Sequence, residues 1–342
     1  MTTSPAGKHT SPVESPAADA DAVQALERPR RLPAFLTDRA LLLNGGFVLG
    51  FLVLVVVASV TNESFLTEAN FTNLLREMVT TGLLALGMLV VILTGGIDLS
   101  VGSIVALTGI MAAGLSEDMP VAAAMTLAVL VGMGCGGVNG VLVARFRLAP
   151  FVVTLAALTA IRGLTYVYSA TPIIPLKPGF LSLGTNNVGP IPVAAIVMLG
   201  LFVVMGVFLT RTPAGRAMIA IGGNQEAVRL AGIRVSRHLV AAYMISGVCA
   251  GLAGVILASR VGVAQPSVAT GYELNAIAAC VIGGASLAGG RGTVIGAFGG
   301  VVLLGLIDDM LTLYDVQDYW QQVLKGLIIV VVVLARRSED RP

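Results

Sequence analysis

Charged residues, cysteines and histidines are all scarce in this sequence. Charged residues make up 12% of its 342 residues, which is about half of the roughly 25% typical of a soluble domain. That share excludes a soluble globular protein, a nucleic-acid binder and a disordered chain, and a formal net charge of +2 is too small to imply a polyanionic partner. The three cysteines form no CxxC pair and there are only two histidines, so we expect no disulfide framework, no metal site and no cofactor.

Several catalytic and nucleotide-binding motifs are missing as well. The sequence has no G-x-x-x-x-G-K-[ST] phosphate-binding loop, no H-E-x-x-H pair and no G-x-S-x-G elbow. We therefore expect no enzyme activity in this chain. It also lacks the series of intramembrane acids or bases that a proton-coupled pump requires, so transport driven by energy would depend on another subunit.

Apolar residues are abundant, at 56%, and they are grouped in runs. A helix that crosses a bilayer needs about 20 mostly apolar residues. The runs predict an all-α integral membrane protein of about ten helices, although several are short and an alternative count fuses two or drops one. The predicted spans are 41–60, 78–94, 101–114, 121–143, 151–168, 191–210, 239–258, 274–282, 293–307 and 321–334.

The basic residues decide between these counts. Lys and Arg collect in cytoplasmic loops. With ten helices and a cytoplasmic N-terminus, most arginines lie in cytoplasmic loops. Removing one helix would move every later loop to the opposite side of the membrane. We predict two cytoplasmic termini, a disordered tail at 1–38, a transmembrane domain at 39–337 with a cytoplasmic loop at 210–238, and a short tail at 338–342.

Two glycine-rich segments interrupt apolar runs, one in each half of the chain. "GGIDLSVG" begins at Gly95 and "GGASLAGG" at Gly283, and aligning these two glycines also matches other positions. A broken helix exposes backbone N–H and C=O groups, which in a membrane must face protein or a water-filled path. Paired breaks therefore indicate a transport pathway in two related halves, and the alternative is a pair of tight turns between packed helices.

Asp98 is a carboxylate inside a long apolar region. A charge at bilayer depth costs at least about 2.5 kcal/mol and usually faces a cavity or a partner. We expect Asp98 to cap a helix that starts near Leu99, a role compatible with lining a pathway. Arg162 is a further pathway candidate, and we interpret Lys325 as a snorkelling residue.

Glycines recur every four residues on two of the predicted helices. One row comprises Gly132, Gly136 and Gly140, and the other comprises Gly292, Gly296 and Gly300. Such rows let helix backbones approach closely, within one subunit or between two. Asn139 lies beside the first row and is expected to form a hydrogen bond across that contact.

The loop at 210–238 contains a short predicted helix. Asn224 can cap its first turn, Glu226 suits the positive end of the dipole, and Gly232 can end the helix in the left-handed conformation. Its predicted apolar face comprises Ala227, Leu230 and Ala231. An isolated amphipathic helix needs a surface to lie on, which is the membrane end of the protein itself, the headgroup layer or another protein.

Three blocks of the chain resemble the permeases of ribose-type ABC monosaccharide importers, within the branched-chain amino acid/sugar permease superfamily. They are "ALGMLVVILTGGIDLSVGSIVAL", "GRAMIAIGGNQEAVRLAGI" and "GYELNAIAACVIGGASLAGGRGTVIGAFGG", in the order typical of that family. The resemblance covers roughly residues 65–334, and the three blocks together are highly specific. The long polar N-terminus departs from the family pattern.

The resemblance implies a multi-pass permease subunit of the bacterial plasma (inner) membrane, in contact with lipid. Its implied partners are a second copy in a homodimer, an ABC ATPase subunit and an extracytoplasmic solute-binding protein, which Glu273 and the outer acidic loops would face. The implied substrate pathway comprises Gly95, Gly96, Asp98, Ser100, Asn139, Asn275, Gly283 and Gly284. The implied ATPase-coupling residues are Gly215, Asn224, Glu226, Arg229 and Gly232.

The cargo that the resemblance implies is a monosaccharide, such as a ribose-like pentose or a hexose. A polyol, an autoinducer-type furanosyl compound and a branched-chain amino acid stay open, although "GGIDLSVG" favours a sugar over an amino acid. A secondary transporter that works alone is the alternative of another class, and it would be driven by an ion gradient without ATP.

Overall fold

A computed structural model describes residues 51–337 of the chain, apart from the side chains at 318, 328, 329 and 331–337. The predicted tails at 1–38 and 338–342 and the start of the first predicted span lie outside the described residues. Each of the ten predicted apolar runs overlaps a helix where it is described. The sixth run is an exception at its start, because Ile191 and Pro192 belong to a small hairpin, the only sheet in this part of the chain.

The elements follow one another along the chain as α1 (Phe51–Thr61), α2 (Glu68–Leu93), α3 (Val101–Asp118), α4 (Val121–Phe146), α5 (Pro150–Tyr168), a 3₁₀ turn (Pro178–Phe180), α6 (Ser182–Thr185), β1 (Asn187–Val188), β2 (Ile191–Pro192), α7 (Val193–Arg211), α8 (Pro213–Gly223), α9 (Gln225–Leu230), α10 (Val235–Val261), α11 (Tyr272–Ile282), α12 (Val294–Leu313) and α13 (Asp318–Arg337). Within the described residues, seven helices are long and apolar enough to cross a membrane: α2, α3, α4, α5, α7, α10 and α12. The helical membrane fold is thus confirmed, while the count of about ten spans stays a prediction.

The helices that precede the two breaks, α2 and α11, end in the same backbone motif. After each C-cap comes a glycine in the left-handed conformation, Gly95 with φ 83° and Gly284 with φ 95°. The N–H groups of that glycine and of the next residue donate back to carbonyls of the last turn, which is the Schellman arrangement. The alignment of Gly95 with Gly283 was wrong by one residue, because the left-handed position corresponds to Gly284.

Glycine rows bring two pairs of helices into close contact. A Cβ added to Gly132, Gly136 or Gly140 of α4 would collide with the backbone of α10. Gly296 and Gly300 of α12 lie in the same way against α11, near Gly283 and Ala279. The predicted close packing is confirmed within one chain, except that Gly292 precedes α12 and is not part of its row.

Acidic and basic residues separate between the two ends of the helix bundle. The end that we call the basic end carries Arg145, Arg147, Arg211, Arg216, Arg229, Arg234 and Arg237, around α8, α9 and the start of α10. The opposite, acidic end carries Glu68, Glu77, Glu117, Asp118, Asp308 and Asp315. The bases at the acidic end are bonded to carboxylates or carbonyl oxygens, as Lys177 is to the carbonyl of Met119.

Candidate functional site

The two predicted breaks meet at a contact made of backbone, which we call the glycine junction. The N–H of Gly290 donates to the carbonyl of Leu93 at 3.1 Å. A Cβ on Gly289 would lie 2.9 Å from Cα of Gly95, and a Cβ on Gly222 of α8 would collide with both Leu93 and Gly290. The two breaks and α8 therefore contact one another through their backbones. A residue larger than glycine at position 222 would prevent this contact.

Asp98 lies at the centre of a buried hydrogen-bond network next to this junction. Its side chain is fully buried, and Oδ1 accepts from the N–H and the hydroxyl of Ser100 at 3.1 and 2.6 Å. Oδ2 accepts from the hydroxyl of Ser246 on α10 at 2.8 Å. The amide of Asn139 on α4 donates to Ser100 Oγ at 2.9 Å, so the network connects α4 and α10 to the start of α3.

This geometry corrects the expected role of Asp98. The helix α3 begins at Val101 with Ser100 as its N-cap, two residues later than expected, and the carboxylate of Asp98 accepts the N–H of Ser100 just before the first turn. Asp98 stands two residues before the cap, where it orders the turn through Ser100 and holds α10 through Ser246. Asn139 bonds to the start of α3 rather than across the glycine row to α10.

The basic cavity, about 770 Å³ in volume, opens at the basic end beside the first break. Thr94, Gly95 and Gly96 line it from the break, and Gln225 and Gly232 line it from the region of α9. Its lining also includes Arg145, Arg147, Arg229 and Arg234, and the fully buried Tyr243. The cavity thus joins two sets of predicted residues, those of the pathway and those of ATPase coupling.

The polar cavity, about 370 Å³ in volume, lies at the acidic end among α2, α10, α11, α12 and α13. Asn275 lines it, away from the other predicted pathway residues. Two ion pairs lie in its lining, Lys325 with Asp308 at 3.0 Å and Arg260 with Glu77 at 3.6 Å. Sequence reasoning missed this cavity and misread Lys325 as snorkelling, although charged side chains within apolar runs were a usable signal.

A closed segment, made of residues 82–93 of α2 and 276–282 of α11, separates these two cavities. The cavities share no lining residue, and Thr81 and Thr94 lie about 20 Å apart along α2 at 1.5 Å per residue. Between them the α2 side chains are almost completely buried, and the thiol of Cys280 donates to the carbonyl of Ala85 at 3.2 Å. The two cavities are therefore separate along α2.

The predicted cytoplasmic helix exists as α9 with the expected ends. Asn224 Oδ1 accepts from the N–H of Ala227 at 2.9 Å, and Gly232 follows the C-cap with φ 81°. Glu226 and Arg229 form an exposed ion pair at 2.5 Å. The fifth predicted coupling residue, Gly215, lies in the first turn of α8, where its lack of a side chain lets α8 fold back against the end of α7.

The predicted apolar face of α9 is exposed, and a residue outside that face anchors the helix to the bundle. Val228 is the buried residue, and it packs against Ile221, Val235 and Leu239 of α8 and α10. Ala227, Leu230 and Ala231 are exposed, with Leu230 at 79%. The short helix is anchored to its own bundle by one side chain, and it leaves an exposed leucine on its free surface.

Two further expectations concern the charged residues Glu273 and Arg162. Glu273 was expected to face a partner protein. Its carboxylate instead lies against α3, because a Cβ added to Gly102 would collide with it. Arg162 donates to the carbonyls of Pro266 and Val268 at 2.7 and 2.8 Å. Arg162 therefore holds the loop that leads into α11.

We expect Lys325→Met to destabilise the chain, because it leaves Asp308 partly buried beside Glu77 without its cation. Removing one member of a buried ion pair costs more than removing both. The double variant Lys325→Met/Asp308→Leu should therefore regain much of the lost thermal stability in detergent. Equal melting temperatures for the single and double variants would contradict this account, because they would show that the unpaired carboxylate of Asp308 costs nothing.

Comparison with known proteins gives a family and several relatives. The family model described as branched-chain amino acid transport system / permease component matches residues 70–333. The chain is 44% identical over 304 residues to the ribose import permease protein RbsC of Bacillus subtilis, which covers 86% of this chain and 93% of that protein. No solved structure matches the chain.

Two relatives from Escherichia coli strain K12 show the same extent of similarity. The ribose import permease protein RbsC is 39% identical over 312 residues, covering 88% of this chain and 96% of the relative. The D-allose transport system permease protein AlsC is 38% identical over 296 residues, covering 85% and 91%. In each case the match extends over nearly the whole relative and covers a similar share of this chain.

Proposed function

The chain belongs to the family described as branched-chain amino acid transport system / permease component, and from this membership we propose that it is the transmembrane permease subunit of an ABC sugar importer. The observation that carries the proposal is similarity at 39–44% identity to ribose import permeases over most of both chains. In this role the chain hydrolyses no ATP itself and forms the pathway for a monosaccharide delivered by an extracytoplasmic binding protein.

The polar cavity suits a monosaccharide as cargo. Sugars are neutral and carry many hydroxyls, which pair with amide, hydroxyl and charged groups such as Asn275, Gln321 and Thr81. A ribose-like pentose is favoured by the similarity to ribose import permeases, and a hexose such as allose comes next. A polyol, a furanosyl signalling compound or a branched-chain amino acid would each use the same architecture.

The proposed topology has about ten spans with both termini in the cytoplasm of a bacterial cell. The charge separation supports it, because seven arginines stand at the basic end and the bases at the acidic end have bonded partners. The basic end is then cytoplasmic, and the polar cavity opens toward the binding protein.

Transport in this account requires the closed segment to open and the glycine junction to move. The pathway residues contribute in three places: Gly95 and Gly96 at the basic cavity, the Asp98 network beside the junction, and Asn275 at the polar cavity. Gly283 and Gly284 end α11 against α12 and thereby set the position of the second break. A homodimeric partner and an ATPase supply the force that separates these elements.

The surface of α9 is the proposed contact with the ATPase subunit. Leu230 is 79% exposed although Val228 of the same helix is buried, so the leucine is available to a partner and not needed for the fold. The neighbouring Glu226–Arg229 pair provides charge on the same short helix. Capping by Asn224 and termination at Gly232 keep the helix rigid enough to transmit a displacement to α8 and α10.

We expect Leu230→Ser to weaken copurification of the ATPase subunit by at least about tenfold, since a buried leucine in an interface contributes roughly 1.5–3 kcal/mol. Exchange of charges in Glu226→Arg/Arg229→Glu should weaken it as well. Neither variant should change the melting temperature of the chain alone. Val228→Ser is the matched control, because it removes a buried side chain and should lower that melting temperature.

The proposed function is tested by reconstitution with the ATPase and binding-protein subunits in proteoliposomes. We expect uptake of labelled ribose that requires ATP and the binding protein. Uptake driven by an ion gradient without either subunit would identify a secondary transporter and overturn the proposal. Thermal-shift screening of the binding protein against sugars, polyols and amino acids then identifies the cargo.

A further inference from the structure

We propose that the basic cavity is a binding site for a phosphate group. Arg145, Arg147 and Arg234 line it, and within the described residues none of the three guanidinium groups has an ion-pair or hydrogen-bond partner. A planar guanidinium matches two phosphate oxygens at once, and several together form the usual recognition of that anion. The lining contains no acidic residue, although the carboxylate of Glu226 is paired with the lining residue Arg229.

The hydroxyl of Tyr243 is a second, independent feature of the same cavity. Tyr243 is fully buried, lines the cavity, and its hydroxyl has no hydrogen-bond partner in the described part of the chain. A Cβ added to Gly96 would be 2.6 Å from this hydroxyl. The hydroxyl of Tyr243 therefore lies beside the part of the cavity wall that the first break forms. Leaving a buried hydroxyl unpaired is costly, and a phosphate oxygen would accept its hydrogen bond.

The size and lining of the cavity indicate a phosphate ester rather than a bare ion. Its volume of about 770 Å³ exceeds what phosphate alone would fill. Apolar side chains complete the wall and suit the organic part of an ester, among them Val143, Leu148, Ile233 and Leu239. Either a soluble phosphorylated metabolite or the headgroup of an anionic phospholipid presents this chemistry.

A ligand in this cavity would touch both moving parts of the transporter. Gly95 and Gly96 belong to the first break, and Gln225 and Arg229 belong to α9. An occupant that bridges them links the break directly to the surface on which the ATPase is proposed to act. This consequence rests on the proposed function, whereas binding of phosphate does not.

The test uses the full chain in nanodiscs and two sources of phosphate. In phosphatidylcholine nanodiscs, glycerol 3-phosphate is titrated at constant ionic strength and the melting temperature is recorded. In the second arm, discs contain phosphatidylglycerol, and native mass spectrometry counts retained lipid. We expect saturable stabilisation in the first arm if the source is soluble, and selective retention in the second if it is a lipid.

Matched variants separate a built site from general positive charge. Arg145→Gln/Arg147→Gln should weaken binding at least tenfold, whereas Arg216→Gln/Arg237→Gln removes the same charge outside the cavity and should leave it unchanged. Tyr243→Phe should weaken binding without lowering the melting temperature of the free chain, because it removes an unpaired hydroxyl.

Two results would overturn the proposal, and neither depends on sugar uptake. One is absence of binding in both arms by the unchanged chain. The other is equal loss of binding in the two arginine double variants, which would reveal only nonspecific attraction. If the glutamine double variant does not fold, Arg145→Lys/Arg147→Lys keeps the charge and should still weaken binding, since lysine lacks the two-pronged geometry.

Discussion

Gly222→Ala should reduce ATP-driven sugar uptake at least tenfold. A methyl group at this position would collide with the carbonyl of Leu93 and the nitrogen of Gly290, which are backbone atoms and cannot rotate away. Overpacking of this kind costs about 1–3 kcal/mol. Relief of the collision would also separate Gly290 from Leu93 and lose their hydrogen bond, worth about 0.5–1.5 kcal/mol. Uptake into proteoliposomes and the melting temperature measure the two effects.

Gly223→Ala is the matched control for this prediction. It makes the same chemical change one residue later, where an added Cβ meets nothing within 4 Å. We expect its uptake to stay within about twofold of the unchanged chain. Equal uptake in the two alanine variants would mean that the glycine junction is not required for transport.

Asp98→Ala should destabilise the chain by at least about 2 kcal/mol. The change leaves the N–H of Ser100 and the hydroxyl of Ser246 buried without an acceptor, at about 1–3 kcal/mol for each group. Asp98→Asn keeps an oxygen for Ser100 and offers an amide group to Ser246, whose hydroxyl can accept as well as donate. The asparagine variant should therefore melt within a few degrees of the unchanged chain, as thermal unfolding in detergent would show.

The two Asp98 variants also separate structure from transport. If the network is the whole role of Asp98, the asparagine variant should import sugar at close to the normal rate. A well-folded asparagine variant that imports nothing would show that the negative charge acts in the pathway. Equal destabilisation by alanine and asparagine would contradict the hydrogen-bond account of this residue.

The features that sequence predicted correctly depend on local chemistry. The apolar runs fixed the helices, because a backbone in lipid must satisfy its hydrogen bonds within each segment. Asn224 and Gly232 marked the ends of α9 because capping needs only the adjacent turn. The glycine row on α4 predicted a close contact, although its partner helix could not be read from the row itself.

The features that sequence missed depend on contacts between distant segments. The short α9 could bury either side, and the direction in which the chain leaves α8 selected Val228 over Leu230. Lys325 meets Asp308 only after α12 and α13 pack together, and Gly222 reaches the junction only through the fold of α8. The alignment of the two glycine-rich segments was also too short to decide whether Gly95 corresponds to Gly283 or to Gly284.

Labelling of Cys280 tests the central claim, that the closed segment opens during transport. This thiol is fully buried between the two cavities, so at rest it should not react with N-ethylmaleimide in a background where Cys135 and Cys249 are replaced by serine. We expect labelling to appear when ATP and sugar-loaded binding protein are added to the reconstituted complex. Rapid labelling at rest, or none during active sugar import, would contradict the account.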